Sequence, residues 1–302
     1  MDVRHLGTLR AVRDRGGVTA AAAALHLTPS AVSQQLRALS RDAGVEVVER
    51  DGRGVRLTDA GRALAEAALD VAVALERARA VADAFRTAPT GTVRVAAFQS
   101  GAELLAPGLL TRTAALDGVR VEVGDEDVAQ QDFPALTADF DIVVAHRPDA
   151  GGPDDEGWPA GLQVVSLLRE PLDVALASDH PLAGRETLAP ADLADADWIA
   201  VREGFPVAGV LAAVTAGTPP RVVQRINDFG VVEALVAAGH GIALLPRYTS
   251  GRRPGVRLVP LTGVRAGRRI DALLRPDRAE RLVVRRVLAA LRAEARRYTE
   301  QR

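Results

Sequence analysis

The 302-residue sequence predicts an α/β protein led by a small all-α winged helix–turn–helix domain. Three observations carry that expectation. A proline-started amphipathic helix at residues 28–37 follows a short alanine-rich one, a heptad pattern runs through residues 58–86, and β-rich runs alternate with helical ones from about residue 92 onward. Such alternation is the mark of βαβ units with a largely parallel sheet.

The helical pair comes first. Residues 19–25 are nearly all alanine, small enough for a second helix to cross closely, and His26-Leu27 make a short connection. Thr28 is a good N-cap, and Pro29 brings a preset helical φ to a first-turn position where its missing N–H costs nothing. Val32, Leu36 and Leu39 then fall at i, i+4 and i+7 and turn inward. Ser30, Ser33, Gln34 and Arg37 share the opposite face, with donors and acceptors suited to base edges and phosphates.

Residues 47–57 have apolar ends around Glu49-Arg50-Asp51-Gly52-Arg53-Gly54, a hairpin read as a wing along a phosphate backbone. The candidate DNA-contacting set is therefore Thr28, Pro29, Ser30, Ser33, Gln34, Arg37, Arg50, Arg53 and Arg56. The competing reading leaves Ser33 and Gln34 as solvated helix positions and the three wing arginines as an ordinary charged hairpin.

At residues 58–86, Thr58 caps, Asp59 suits the positive end of the helix dipole, and no proline intervenes before Pro89, so one helix about 43 Å long is expected. Leu64, Ala68, Val71, Leu75, Ala78, Ala82 and Phe85 alternate steps of four and three, a heptad seam that calls for a partner helix. The plainer alternative is an amphipathic helix lying on its own domain. Pro89-Thr90-Gly91 reads as a hinge.

Beyond it, strands are expected at 93–97, 119–123 and 141–145, with a helix at 101–115. A second set follows, with strands at 164–168, 172–177, 198–201, 222–226 and 242–245, and helices at 207–216 and 229–238. Residues 277–297 read as one last helix, opened by an Asp277/Glu280 arrangement like a capping box.

The chain resembles the LysR-type transcriptional regulators. The match runs from Met1-Asp2-Val3-Arg4-His5-Leu6 through the helix at 28–37 to Leu57-Thr58-Asp59-Ala60-Gly61, and resumes at Gly91-Thr92-Val93-Arg94-Val95, Asp179-His180-Pro181-Leu182-Ala183 and Gly239-His240-Gly241-Ile242-Ala243-Leu244-Leu245-Pro246. It departs where the family usually has aromatics, near Leu9, Val18 and Val48, and where Gln34 replaces a frequent arginine; glutamine favours adenine where arginine favours guanine.

The resemblance implies a winged helix–turn–helix over residues 1–58, a linker and dimerisation helix over 59–88, and a two-lobed periplasmic-binding-protein-like effector domain over 89–302. Lobe I would take about 92–163 and 265–302, and lobe II about 164–264. It also implies double-stranded DNA and a small-molecule effector as partners, a homodimer that assembles to a tetramer, and action on a promoter, where RNA polymerase is a further partner.

In such folds the ligand sits between the lobes, at strand carboxyl ends and helix N-termini. That geometry selects Phe98, Gln99, Ser100, His146, Arg147, Arg202, Glu203, Phe205, Asn227 and Phe229, with Arg147 or Arg202 expected to face an anionic or zwitterionic effector. Each has a structural alternative: Ser100 and Asn227 as caps or turn formers, Phe98 and Phe229 as core, the two arginines in surface ion pairs.

Composition sets the limits. Hydrophobic residues at 48% and charged ones at 25% suit a globular protein of more than one domain. With no cysteine, no disulfide framework or catalytic thiol is expected, and no metal site or cofactor is indicated. No apolar leader and no long apolar run is seen, which makes the cytoplasm the expected compartment and leaves out a membrane partner.

The net charge of −1 hides an asymmetry: every basic residue is arginine, residues 1–60 balance at +2, 87–250 at −13 and 251–302 at +10. The arginine-rich end reads as a solvated helix face or as a contact to a neighbouring subunit's acidic middle. An enzyme is disfavoured, because the five histidines are scattered and no Gly-x-Ser-x-Gly or phosphate loop occurs. A ligand-independent DNA-binding protein stays open.

Overall fold

The computed structural model describes residues 1–52, 54–85, 90–149, 157–215 and 218–300. They form two compact units, Met1–Pro89 with Arg275–Arg285, and Thr90–Leu274 with Arg286–Arg302.

In the first unit, α1 (Val3–Arg15) starts where the Asp2 carboxylate accepts the Arg4 N–H, and ends at Gly16 in the left-handed region, φ 72°. Then come α2 (Val18–Ala24), α3 (Pro29–Ala43), the antiparallel hairpin β1 (Val48–Asp51) and β2 (Gly54–Leu57), and α4 (Asp59–Ala84). Leu9, Val12, Val32, Leu36 and Leu39 are all but fully buried between α1, α2 and α3. Each such side chain stabilises the unit by about 2 kcal/mol relative to exposure.

Gly61 explains the Leu-Thr-x-Ala-Gly run. Thr58 caps α4 by accepting the Gly61 N–H at 2.9 Å, and a Cβ at Gly61 would stand 1.9 Å from the Val47 carbonyl oxygen. Only glycine lets the helix pass this close to the wing's base.

Residues 275–285 belong to this unit, whereas the family resemblance predicts them in lobe I. Arg10 and Asp277 pair at 2.7 Å with little exposure, Arg275 pairs with Asp14, and Arg77 reaches Glu280 at 2.9 Å. These contacts also undo the expected helix start. Asp277 and Glu280 serve tertiary ion pairs and no capping box forms, so the chain makes α9 (Pro276–Ala279) and then a separate α10 (Leu282–Thr299) in place of one helix over 277–297. Burial pushes the Asp277 carboxyl up, but the Arg10 hydrogen bond and charge outweigh it and hold it below the usual range.

The second unit contains β3 (Gly91–Ala97), α5 (Gln99–Thr113), β4 (Val119–Asp125), α6 (Phe133–Leu136), β5 (Ile142–Pro148), β6 (Gln163–Ala177), β7 (Asp197–Ala200), α7 (Pro206–Val214), β8 (Arg221–Arg225), α8 (Phe229–Ala237), β9 (Ala243–Pro246), β10 (Val256–Val259) and β11 (Gly267–Leu274). Its main sheet has the order β10-β6-β11-β5-β3-β4, with β9 also on β6.

The sheet is mixed, where a largely parallel one was expected. β3 runs parallel to β4 and β5, but β11 is antiparallel to both β5 and β6, and β6 to β9 and β10. The reason is that β6 and β11 are the strands by which the chain leaves and re-enters lobe I, and they return side by side with no helical crossover.

The two strands expected at 164–168 and 172–177 are one. β6 pairs with β11 as far as Pro171, then with β9 and β10 from Leu172 on, so lobe II begins near Leu172 and not at 164. Lobe II packs Leu172, Val174, Leu176, Trp198, Val210 and Leu244 between its strands and α7. At the end of β5, the buried Asp149 carboxylate accepts from Arg169, Arg265 and Arg269; burial raises its pKa, and the three guanidiniums overcome this and bring it to about 2. Among the described residues no helix is long and apolar enough to cross a membrane.

Candidate functional site

The DNA-facing candidates are positioned by α3 and the wing. Thr28 Oγ1 accepts the Ala31 N–H at 3.1 Å and Pro29 occupies the first turn, as a capped helix start requires. With Val32, Leu36 and Leu39 buried, Thr28, Pro29, Ser30, Gln34 and Arg37 are exposed and Ser33 is half-buried. Ser33 and Arg50 line an open groove of about 770 Å³ together with the α1–α2 turn from Arg15 to Ala20. Arg56 pairs across the hairpin with Glu49 at 2.9 Å, which spends part of its charge, while Arg37 and Arg50 have no carboxylate partner among the described residues. Arg53 lies outside the described residues.

The heptad seam divides. Ala68 is buried and Leu64 half-buried against the unit's own core, so these two positions hold α4 to its domain. Val71, Leu75, Ala78, Ala82 and Phe85 are exposed, Phe85 at 89%.

In the second unit, seven of the ten ligand candidates converge on one cavity. Phe98, Gln99 and Ser100 come from the β3–α5 junction, His146 from β5, Phe205 from the turn before α7, and Asn227 and Phe229 from the start of α8. Asp127, Val201, Val207 and Arg268 complete the wall. The enclosed space is about 20 Å³, room for about one water, so the lobes must part to admit a larger guest. Across the mouth, Gln99 Nε2 donates to Asp228 at 3.3 Å and Asn227 Nδ2 to Asp127 at 3.4 Å, both long contacts.

Three candidates lie elsewhere. Arg147 donates through Nε to Asp271 at 3.1 Å, on a carboxylate it shares with the Trp158 indole at 2.9 Å, and does not line the cavity. Glu203 pairs with Arg225 at 2.6 Å. The Arg202 guanidinium sits over the Phe205 ring, 5.4 Å from its centre, outside the wall.

The arginine that does line the cavity is Arg268. It is fully buried, donates to Glu170 at 2.7 and 2.9 Å and to Ser100 Oγ at 2.9 Å, and lies 4.9 Å from the Phe98 ring centre. Its Nη1 is buried without a partner among the described residues, as is Nδ1 of His146. His146 stacks on Phe98 with 4.0 Å between ring centres. Burial first, and the Arg268 charge second, hold its pKa well below the usual histidine range, so it is neutral. Asp127 stands on the rim: its cavity side is stripped of water, which raises its pKa against the Asn227 hydrogen bond and the Arg202 charge, while solvent reaches its outer side.

The Arg268-Arg269 pair looks like surface charge in the sequence. What could have found Arg268 is strand alternation, which puts it on the same face as Ile270 and Ala272. His180, by contrast, is the turn residue expected, its Nδ1 accepting the Leu182 N–H at 3.2 Å.

A winged helix–turn–helix followed by a two-lobed α/β domain with a cavity between its lobes is the build of a ligand-responsive DNA-binding regulator. Known proteins agree. A family model described as the LysR substrate binding domain matches residues 86–296, and one described as bacterial regulatory helix-turn-helix protein, lysR family, matches residues 3–62. The small neutral protease regulatory protein of Streptomyces coelicolor is 33% identical over 282 residues, covering 86% of this chain and 82% of that one. The transcriptional regulator TfdS of Cupriavidus pinatubonensis is 30% identical over 275 residues, covering 88% and 90%. Among solved structures, a full-length OxyR variant from Pseudomonas aeruginosa superposes with a TM-score of 0.70 at 19% identity over 97% of this chain and 98% of its own. The chain belongs to the LysR family of transcriptional regulators, with a helix-turn-helix DNA-binding domain and an effector-binding domain.

Proposed function

We propose that residues 1–58 read one half-site of double-stranded DNA, with Ser30, Ser33, Gln34 and Arg37 at base edges and phosphates and Arg50 and Arg56 along the backbone. The exposed part of the linker helix, from Val71 to Phe85, pairs with the same helix of a second copy, because two half-sites require a two-fold dimer. Residues 89–302 hold a small-molecule effector whose occupancy of the cavity changes DNA binding, and the protein works in the cytoplasm as a dimer of dimers without turning over a substrate.

The observation that supports this best is the convergence of Phe98, Gln99, Ser100, His146, Phe205, Asn227 and Phe229 on one cavity. Footprinting on the DNA upstream of the protein's own gene, with and without candidate metabolites, tests it. Two protected half-sites whose extent changes with one compound are expected. Protection indifferent to every compound would favour a ligand-independent DNA-binding protein.

A further inference from the structure

Resting on that reading of the cleft, we infer that its ligand is a net-neutral molecule with separated charges, an α-amino-acid-like zwitterion whose carboxylate meets Arg268 and Ser100 and whose ammonium meets Asp127.

The wall's charges decide it. Arg268 and Glu170 are both fully buried and pair at 2.7 Å, so the one guanidinium in the wall is already cancelled. His146 contributes no charge. Asp127 makes no ion pair among the described residues; Arg202 acts on it only through space from outside the wall, so the lining itself carries a surplus negative charge that opposes a plain carboxylate. An anion would also lose its hydration on entering, a loss its attraction to a cancelled arginine does not offset. A guest bringing one charge of each sign adds no net charge.

The hydrogen-bonding groups are sorted the same way. Acceptors are wanted inside: Arg268 Nη1 is buried without a partner among the described residues, and Phe98, the N-cap of α5, offers no capping side chain to the first N–H groups of that helix. A donor is wanted at the rim, where among the described residues Asp127 receives only the 3.4 Å contact from Asn227. Between them, Val201, Val207, Phe205 and Phe229 offer an apolar wall for a side chain.

Calorimetric titration of the full-length protein with L-leucine, 4-methylpentanoate and isopentylamine removes one charge at a time from a constant alkyl group. Leucine should bind about tenfold or more tightly than either analogue, the cost of an unmet charged hydrogen bond. Asp127→Asn should remove that advantage over 4-methylpentanoate while leaving the binding of 4-methylpentanoate equal or tighter. Equal or tighter binding of 4-methylpentanoate by the unaltered protein overturns the assignment, as does no binding of any of the three at millimolar concentration. Either result leaves the cleft reading to the footprinting test, which fails on a different observation.

Discussion

Replacing Gly61 with alanine sets two physical effects against each other. Alanine is favoured over glycine by about 1 kcal/mol in a helix interior and by less in the first turn, where Gly61 stands, so propensity alone predicts a protein at least as stable. The added Cβ would lie 1.9 Å from the Val47 oxygen and 2.9 Å from its carbonyl carbon, and both are backbone atoms that cannot swing aside. That carbonyl also accepts the Thr58 N–H at 3.2 Å, at the foot of the hairpin. Relief requires the wing's base to move by more than an ångström, at about 1–3 kcal/mol for overpacking and about 1 kcal/mol for the displaced hydrogen bond. The net expectation is a loss of about 1–3 kcal/mol. Thermal unfolding of the full chain followed by circular dichroism should show the first unit's transition falling by several degrees, with operator affinity reduced. A variant as stable as the parent, or more stable, refutes the close-approach argument.

Four further outcomes are expected. Gln34→Arg should shift preference toward guanine at one position of each half-site, read by binding-site selection; an unchanged profile removes Gln34 from the base edge. Leu75→Glu puts a charge on the exposed seam and should weaken dimerisation about tenfold or more in sedimentation while leaving helix content intact; an unchanged dimer places the interface elsewhere. Glu170→Gln strips the buried Arg268 of its counter-charge and should cost about 3–5 kcal/mol, a loss that chemical denaturation resolves. Asp149→Asn tests a depressed carboxylate, whose contribution is present above its unfolded value and lost as pH falls toward its folded value of about 2. Discounted for its half-exposed arginine partners it is worth about 1 kcal/mol, so the gap between parent and variant should hold at neutral pH and narrow below about pH 4.

What was legible in the sequence was local chemistry. Thr28 and Pro29 declare a helix start whatever the surroundings, and Val32, Leu36 and Leu39 declare its buried face. Tertiary demands were not legible. The seam of α4 reads as one stripe, yet Leu64 and Ala68 serve their own core, because periodicity shows which face is apolar and not what covers it. Arg169-Glu170-Pro171 reads as a break between strands, because a buried glutamate is recognisable only with Arg268 opposite it, 98 residues away in the chain. The ligand candidates chosen by strand-end geometry reached the cavity at seven positions; Arg147 failed because alternation along β5 turns it away from His146, toward Asp271.

β6 has one consequence for how the cleft can work. A single unbroken strand belongs to both lobes, so the lobes are not doors on a loose hinge; parting them means twisting a hydrogen-bonded ribbon. Pro171, at the change of partners, has no N–H to give up, which makes that residue the most compliant point of the ribbon. Any parting of the lobes therefore loads this one strand in torsion, with the twist concentrated about Pro171.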